Sequence, residues 1–159
     1  MPVCAGAGPS LAFFLRPPAL ALLVRAGRLP RGCGWRSLAG GICERGLEKF
    51  SGPRSDVLAY LGPAISQAHF EVGIDVLEAF FSVARNVLHA DEIAAAFIPG
   101  ARPLHFYADI YALARAELNA LGVTAIYGGG DCTFIEAERF YSYRRDKTTG
   151  RMASLIWLE

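Results

Sequence analysis

Asp109-Ile-Tyr-Ala-Leu-Ala-Arg-Ala-Glu-Leu-Asn-Ala-Leu-Gly-Val-Thr-Ala-Ile-Tyr-Gly-Gly-Gly130 changes its period part-way along. Ile110, Leu113, Ala114, Leu118 and Leu121 recur at helical spacing, and Gly122 stands at the C′ position, so 109–121 is predicted to be a helix. Val123 to Tyr127 is rich in β-branched residues and reads as a short strand, which Gly128-Gly-Gly130 turns. A helix that feeds a strand belongs to a domain of packed helical and sheet layers, and the chain beyond Gly34 keeps alternating in this way.

Working outward, Gly73 to Leu88 is the strongest helical pattern, with Val76, Leu77, Phe80, Phe81, Ala84 and Leu88 on one face and Asp75 and Glu78 in its first part. Ser37 to Phe50 reads as another helix, with Leu38, Ile42 and Leu47 near one face, Glu44 and Glu48 on another, and Ser51-Gly-Pro53 as its stop. Asp91 to Phe97 reads as a short helix before Pro99-Gly100. Strands are predicted at Val57 to Leu61, ended by Gly62-Pro63, at Leu104 to Tyr107, and at Ala153 to Leu158. Residues 1–31 hold much of the Gly, Pro and Arg and show no helical or alternating period past Pro17, so little native structure is expected there. The domain boundary falls near residue 32, and there is no internal repeat.

Composition bounds the classes of function. The 159 residues are 53% hydrophobic and 19% charged, which suits one domain with a core. Lys and Arg total 16 against 15 for Asp and Glu, and this balance gives no electrostatic case for nucleic acid or an anionic membrane. The charge is uneven, however: Arg16, Arg25, Arg28, Arg31 and Arg36 all precede the first acidic residue, Glu44. The apolar run 11–24 is too short and too broken by Arg16-Pro17-Pro18 to span a membrane. Its arginines also lie on the wrong side for a signal peptide, and two serines are few for a transit peptide. Cys4, Cys33, Cys43 and Cys132 have no paired C-x-x-C spacing, so reduced thiols and a cytoplasmic location are expected.

Several residues could carry chemistry. Gly128-Gly-Gly-Asp-Cys-Thr133 after a strand could turn backbone N–H groups around an anion, or could be a turn without a ligand. Arg144, Arg145 and Arg151 flank a Thr-Thr-Gly turn nearby; their forked donors suit phosphate, and the alternative is a solvated hairpin with surface ion pairs. Cys132 becomes a candidate nucleophile if His69 or His105 approaches it, and is otherwise an inert core thiol. His89, taken as following a helix end, is given a structural role at the dipole. No two of the three histidines have metal-ligand spacing.

Gly34-Trp-Arg-Ser-Leu-Ala-Gly-Gly41, Leu61-Gly-Pro-Ala-Ile65, His69-Phe-Glu-Val72, Ala108-Asp-Ile-Tyr-Ala-Leu113, Tyr127-Gly-Gly-Gly130, Cys132-Thr133 and the run from Phe140 through Ser154 together, and in this order, resemble the laccase-domain or YfiH-like family. Its members are also called multicopper polyphenol oxidases and are regarded as zinc-dependent purine nucleoside phosphorylases. The resemblance covers the family's second half. It implies an α+β fold, part of a four-layer α/β/β/α sandwich with mixed sheets, formed by 32–159, with an irregular segment at 1–31. It also implies phosphorolysis of adenosine, inosine and methylthioadenosine, with adenosine deamination beside it, so purine nucleoside and phosphate are the expected partners.

By position, Arg36, Arg144, Arg145 and Arg151 match the family's arginine signatures and are the candidate substrate or phosphate ligands. Zinc, and historically copper, belongs to the family. Its metal is held by a histidine just before Gly-Trp-Arg and by an earlier histidine and cysteine, but here Gly32 stands at the first of these positions and offers no donor. Cys33 is adjacent but in a different register and without partner ligands. Ser37 and Lys147 replace glycines usual in the family. Residues 1–31 resemble nothing in it, which suggests either a shifted reading frame or a replaced N-terminal half. Impaired catalysis is therefore expected, with a binding scaffold as the alternative. Self-association or pairing with a full-length relative would cover the sheet edges and apolar face that a half-domain exposes.

Overall fold

A computed structural model describes residues 11–15, 21–24, 34–50, 52–150 and 152. Along the chain these form strands β1 (Leu11–Leu15) and β2 (Ala21–Val24), helices α1 (Trp35–Ala39) and α2 (Ile42–Leu47), β3 (Val57–Leu61), β4 (Glu71–Gly73), α3 (Ile74–Phe81), α4 (Val87–Ala95), β5 (Phe97–Pro99), β6 (His105–Ala108), α5 (Ile110–Ala120), β7 (Ala125–Gly128) and α6 (Tyr143–Asp146). One sheet has the order β2-β1-β3-β7 and is mixed: β3 runs antiparallel to β1 and parallel to β7, with Tyr60 opposite Tyr127 and Leu61 opposite Gly128. The other, β4-β6-β5, is antiparallel, with Val72 opposite Phe106. The fold is thus α and β with mixed sheets.

β3 shows why these residues make this sheet. Val57, Ala59 and Leu61 are buried while Tyr60 between them faces outward, the period of two that a half-buried strand requires. Its buried face meets Leu47, Leu113, Leu118 and Val123 in a single apolar cluster that also takes in Val72, Val76, Phe80 and Ile93. α5 starts where the Asp109 carboxylate accepts the N–H groups of Tyr111 and Ala112, and it ends at Gly122, whose φ of +85° is cheap only for glycine.

The structure corrects four expectations. The helix predicted over 37–50 is two short helices, because Gly41 takes a left-handed φ of +76° and breaks the ladder. The helix predicted over 73–88 stops at Phe81. Asn86 then caps a new helix by accepting the His89 N–H, and Leu88 points to solvent. That new helix, Val87–Ala95, absorbs most of the short helix expected at 91–97, while Phe97–Pro99 is a strand. Within 1–31, strands β1 and β2 form a hairpin on β3, since backbone pairing to an existing strand needs no visible side-chain period. The strand predicted at 153–158 lies outside the described residues. No described helix is long and apolar enough to cross a membrane.

Candidate functional site

β3 and β7 are parallel neighbours, so the loops that follow them emerge at the same end of the sheet, where open parallel arrangements hold ligands. The loops are sewn together. Ala64 and Cys132 form a parallel bridge, and the Thr133 N–H donates to the Ala64 carbonyl at 2.9 Å. The Tyr111 hydroxyl, at the start of α5, accepts the Ala64 N–H at 2.6 Å and lies 3.2 and 2.9 Å from the carbonyls of Gly62 and Asp131. Burial, joined by the Asp131 carboxylate and opposed by the Ala64 N–H, pushes its phenol up to about 12, so it stays a donor at any physiological pH.

The glycine turn is constrained from within. Gly128 and Gly129 take φ of +79° and +89°, the successive left-handed values that only glycine tolerates freely. However, the Gly129 N–H donates to the Leu61 carbonyl at 3.1 Å, and Arg115 donates to the Gly128 carbonyl at 2.6 Å. The Cys132 N–H is likewise taken by Glu136, at 2.6 Å, and this bond is the main reason the Glu136 carboxyl lies below its ordinary range. Those groups close the loop on itself.

The candidate arginines separate into different roles. Arg145 uses all five of its donors inside the chain: Nη1 reaches the carbonyls of Thr133 and Phe134 at 2.9 Å each, Nη2 reaches Phe140 at 3.0 Å, and Nε and Nη2 grip Asp146 at 2.9 Å each. It fixes the loop after β7 and retains nothing for a ligand. Arg144, one residue earlier on α6, donates Nη1 to the Glu71 carbonyl at 3.0 Å and lies 5.4 Å over the Phe70 ring. Its other donors are unspent among the described residues. Arg36 lies over Trp35 at 4.3 Å, exposed on α1, and no hydrogen bond or ion pair among the described residues joins it to these loops. Arg151, Gly32 and Cys33 lie outside the described residues.

His69 does approach Cys132, through a third residue. Cys132 Sγ is 3.0 Å from Ser66 Oγ and accepts the Ser66 N–H at 3.4 Å, and Ser66 Oγ is 3.2 Å from His69 Nδ1. The His69 ring stacks on Phe134 with centroids 4.5 Å apart. His105 is engaged elsewhere, its Nδ1 2.9 Å from the Pro103 carbonyl.

His89 is not at a helix end but in the first turn of α4, 2% exposed. Its Nδ1 accepts the Arg85 N–H at 3.3 Å, which leaves the proton on Nε2, 3.4 Å from a Glu117 carboxylate oxygen. Glu117 also receives Arg85 Nη2 at 3.0 Å. Cys43, fully buried beside this group, has its thiol pushed well above the ordinary range by burial first and then by Glu117, which makes it inert. Sequence reasoning missed Glu117, although its place on the apolar stripe of α5 was a legible signal of a buried partner. It also missed Ser66 and the Tyr111 hydroxyl, which only the meeting of distant loops reveals.

Compared with known proteins, residues 32–159 match the family described as multi-copper polyphenol oxidoreductase laccase. A purine nucleoside phosphorylase of Pseudomonas aeruginosa is 51% identical over 126 residues, which are 79% of this chain and 50% of that protein. The Escherichia coli purine nucleoside phosphorylase YfiH is 49% identical over 125 residues, 79% and 48% of the two chains. A crystal structure of a Neisseria meningitidis protein superposes with a TM-score of 0.71 at 39% identity, over 88% of this chain and 52% of that one. This chain therefore spans about half the length of the relatives it matches.

Proposed function

The chain belongs to the multi-copper polyphenol oxidoreductase laccase family, and from this membership we propose that it carries the C-terminal half of a purine nucleoside phosphorylase scaffold, impaired in turnover by the loss of the family's metal ligands. The observation that carries this reading is the 51% identity to a purine nucleoside phosphorylase over 126 residues, 79% of this chain. Its substrates are adenosine, inosine or methylthioadenosine with inorganic phosphate, and adenosine deamination is the companion activity. Among the described residues no group of three His, Cys, Asp or Glu side chains has an arrangement that could hold a metal ion, so these residues do not fit a zinc site, and no step is assigned to that ion.

Phosphorolysis requires cationic donors that hold phosphate against the sugar while charge moves onto the leaving base. Arg144 supports this role because its guanidinium is anchored at one nitrogen, rests on Phe70 and keeps further donors unspent. Arg145 acts as a positioning residue that shapes the loop beside it. The second reading, a scaffold that binds without turnover, is supported by the same loops being closed by their own hydrogen bonds, with no metal-holding group among the described residues.

Calorimetric titration of the intact chain with inorganic phosphate separates the arginines. Phosphate is expected to bind, and Arg144→Ala to weaken it about tenfold, the worth of one charge-assisted bond, with an unchanged melting temperature. Arg145→Ala is expected to lower the melting temperature instead. A parent chain that ignores phosphate, or an Arg144→Ala variant that binds it equally well, contradicts the assignment.

A further inference from the structure

We propose that Cys132, Ser66 and His69 form a proton relay that makes Cys132 a peroxide-reactive thiol, a modification site independent of nucleoside chemistry. The geometry supplies each part. Cys132 Sγ, as donor, lies 3.0 Å from Ser66 Oγ, and Ser66 Oγ lies 3.2 Å from His69 Nδ1, so with the imidazole proton on Nε2 the serine hydroxyl donates to Nδ1. The Ser66 N–H meets the sulfur at 3.4 Å. When the Ser66 proton passes to His69 and the Cys132 proton to Ser66, the serine becomes a donor to the thiolate and the imidazolium a donor to the serine. Cys132 is 8% exposed, while Ser66 and His69 are half-buried, so the relay runs from a sheltered nucleophile toward solvent. Stacking on Phe134 holds the imidazole in place.

Electrostatics agree with the geometry. Burial alone opposes the thiolate, but the Ser66 hydroxyl and the backbone amides of Ser66, Ile135 and Phe134 outweigh it, and the thiol lies below its ordinary range. Cys43 is the opposite case, sealed in the core with a thiol held protonated. With hydrogen peroxide, a small oxidant suited to a largely buried cysteine, the thiolate attacks one oxygen. An S–O bond forms, the O–O bond breaks, and the proton stored on His69 returns through Ser66 to the departing hydroxide as water. Cys132 is oxidised to the sulfenic acid and the peroxide is reduced. Because Cys132 and Ser66 join the loops after β3 and β7, an added oxygen there loosens that junction.

The reduced 159-residue chain is exposed to hydrogen peroxide in the presence of dimedone, and labelled peptides are mapped by mass spectrometry. Cys132 is expected to take the label and Cys43 to remain unlabelled. Ser66→Ala and His69→Gln are each expected to slow labelling about tenfold, the lower range of what a positioned base contributes. Equal labelling rates in parent and both variants overturn the proposal, as does an unlabelled Cys132. Labelling of Cys43 reports a variant that has unfolded. In that case the pH profile of iodoacetamide alkylation at Cys132 in the parent decides: a midpoint below the ordinary thiol range supports the relay, and one at or above it overturns the relay.

Discussion

Replacing Glu117 with alanine is expected to lower the unfolding free energy by about 3–5 kcal/mol, the range for removing one partner of a buried charged cluster. Its side chain is 7% exposed and faces two groups at once, Arg85 Nη2 at 3.0 Å and His89 Nε2 at 3.4 Å. Without it, His89 keeps a buried N–H with no acceptor, because Nδ1 is already occupied by the Arg85 amide. Arg85 is left with only the exposed Glu44, whose carboxylate water can replace. The cluster ties α2, the break between α3 and α4, and α5, so its loss should spread beyond the site of substitution. Glu117→Gln keeps an acceptor and should cost less, and Glu44→Ala should be close to neutral. Equilibrium denaturation in urea ranks the three; a Glu117→Ala chain as stable as the parent removes the cluster's structural role.

Gly128→Ala is expected to destabilise by on the order of 3 kcal/mol, combining left-handed strain with steric overlap. A Cβ there would stand 2.3 Å from the Leu61 carbonyl oxygen; that oxygen is backbone and the Cβ is fixed directly to the backbone of the paired strand, so neither can swing aside. Its φ of +79° adds a conformation that alanine resists. Relief requires β7 to part from β3 at the end where the loops meet, which should also release the Gly129 amide from Leu61. Gly130→Ala is the internal control: nothing lies within 4 Å of its added Cβ, and the same methyl should be tolerated. Thermal melting with hydrogen exchange at the Gly129 amide distinguishes the two, and equal melting temperatures for both variants contradict the close approach.

The parts of the fold legible in the sequence were those with a complete local pattern. β3 and α5 have an alternating or helical stripe with clear stops, Gly62-Pro63 and Gly122, and they form where the pattern places them within a residue. The helix over 73–88 failed because its apolar stripe continues across Arg85-Asn86, where a side-chain cap and two carboxylates outcompete propagation. The hairpin β1–β2 was hidden because its partner, β3, is more than thirty residues away. The arginine signature was legible as chemistry but not as roles: Arg144 and Arg145 are neighbours in sequence, yet the second faces five acceptors that come from three segments of the chain. In the same way Cys132 and His69 were each candidates, while the serine that connects them had no signal of its own.

On the function proposed above, the chain keeps the family's sheet and loops without the side chains that would hold a metal. Purified chain offered zinc, then dialysed, should retain no stoichiometric metal, and with adenosine it should release no adenine above background whether or not phosphate is present. One equivalent of retained zinc together with adenine release that depends on phosphate would contradict the account.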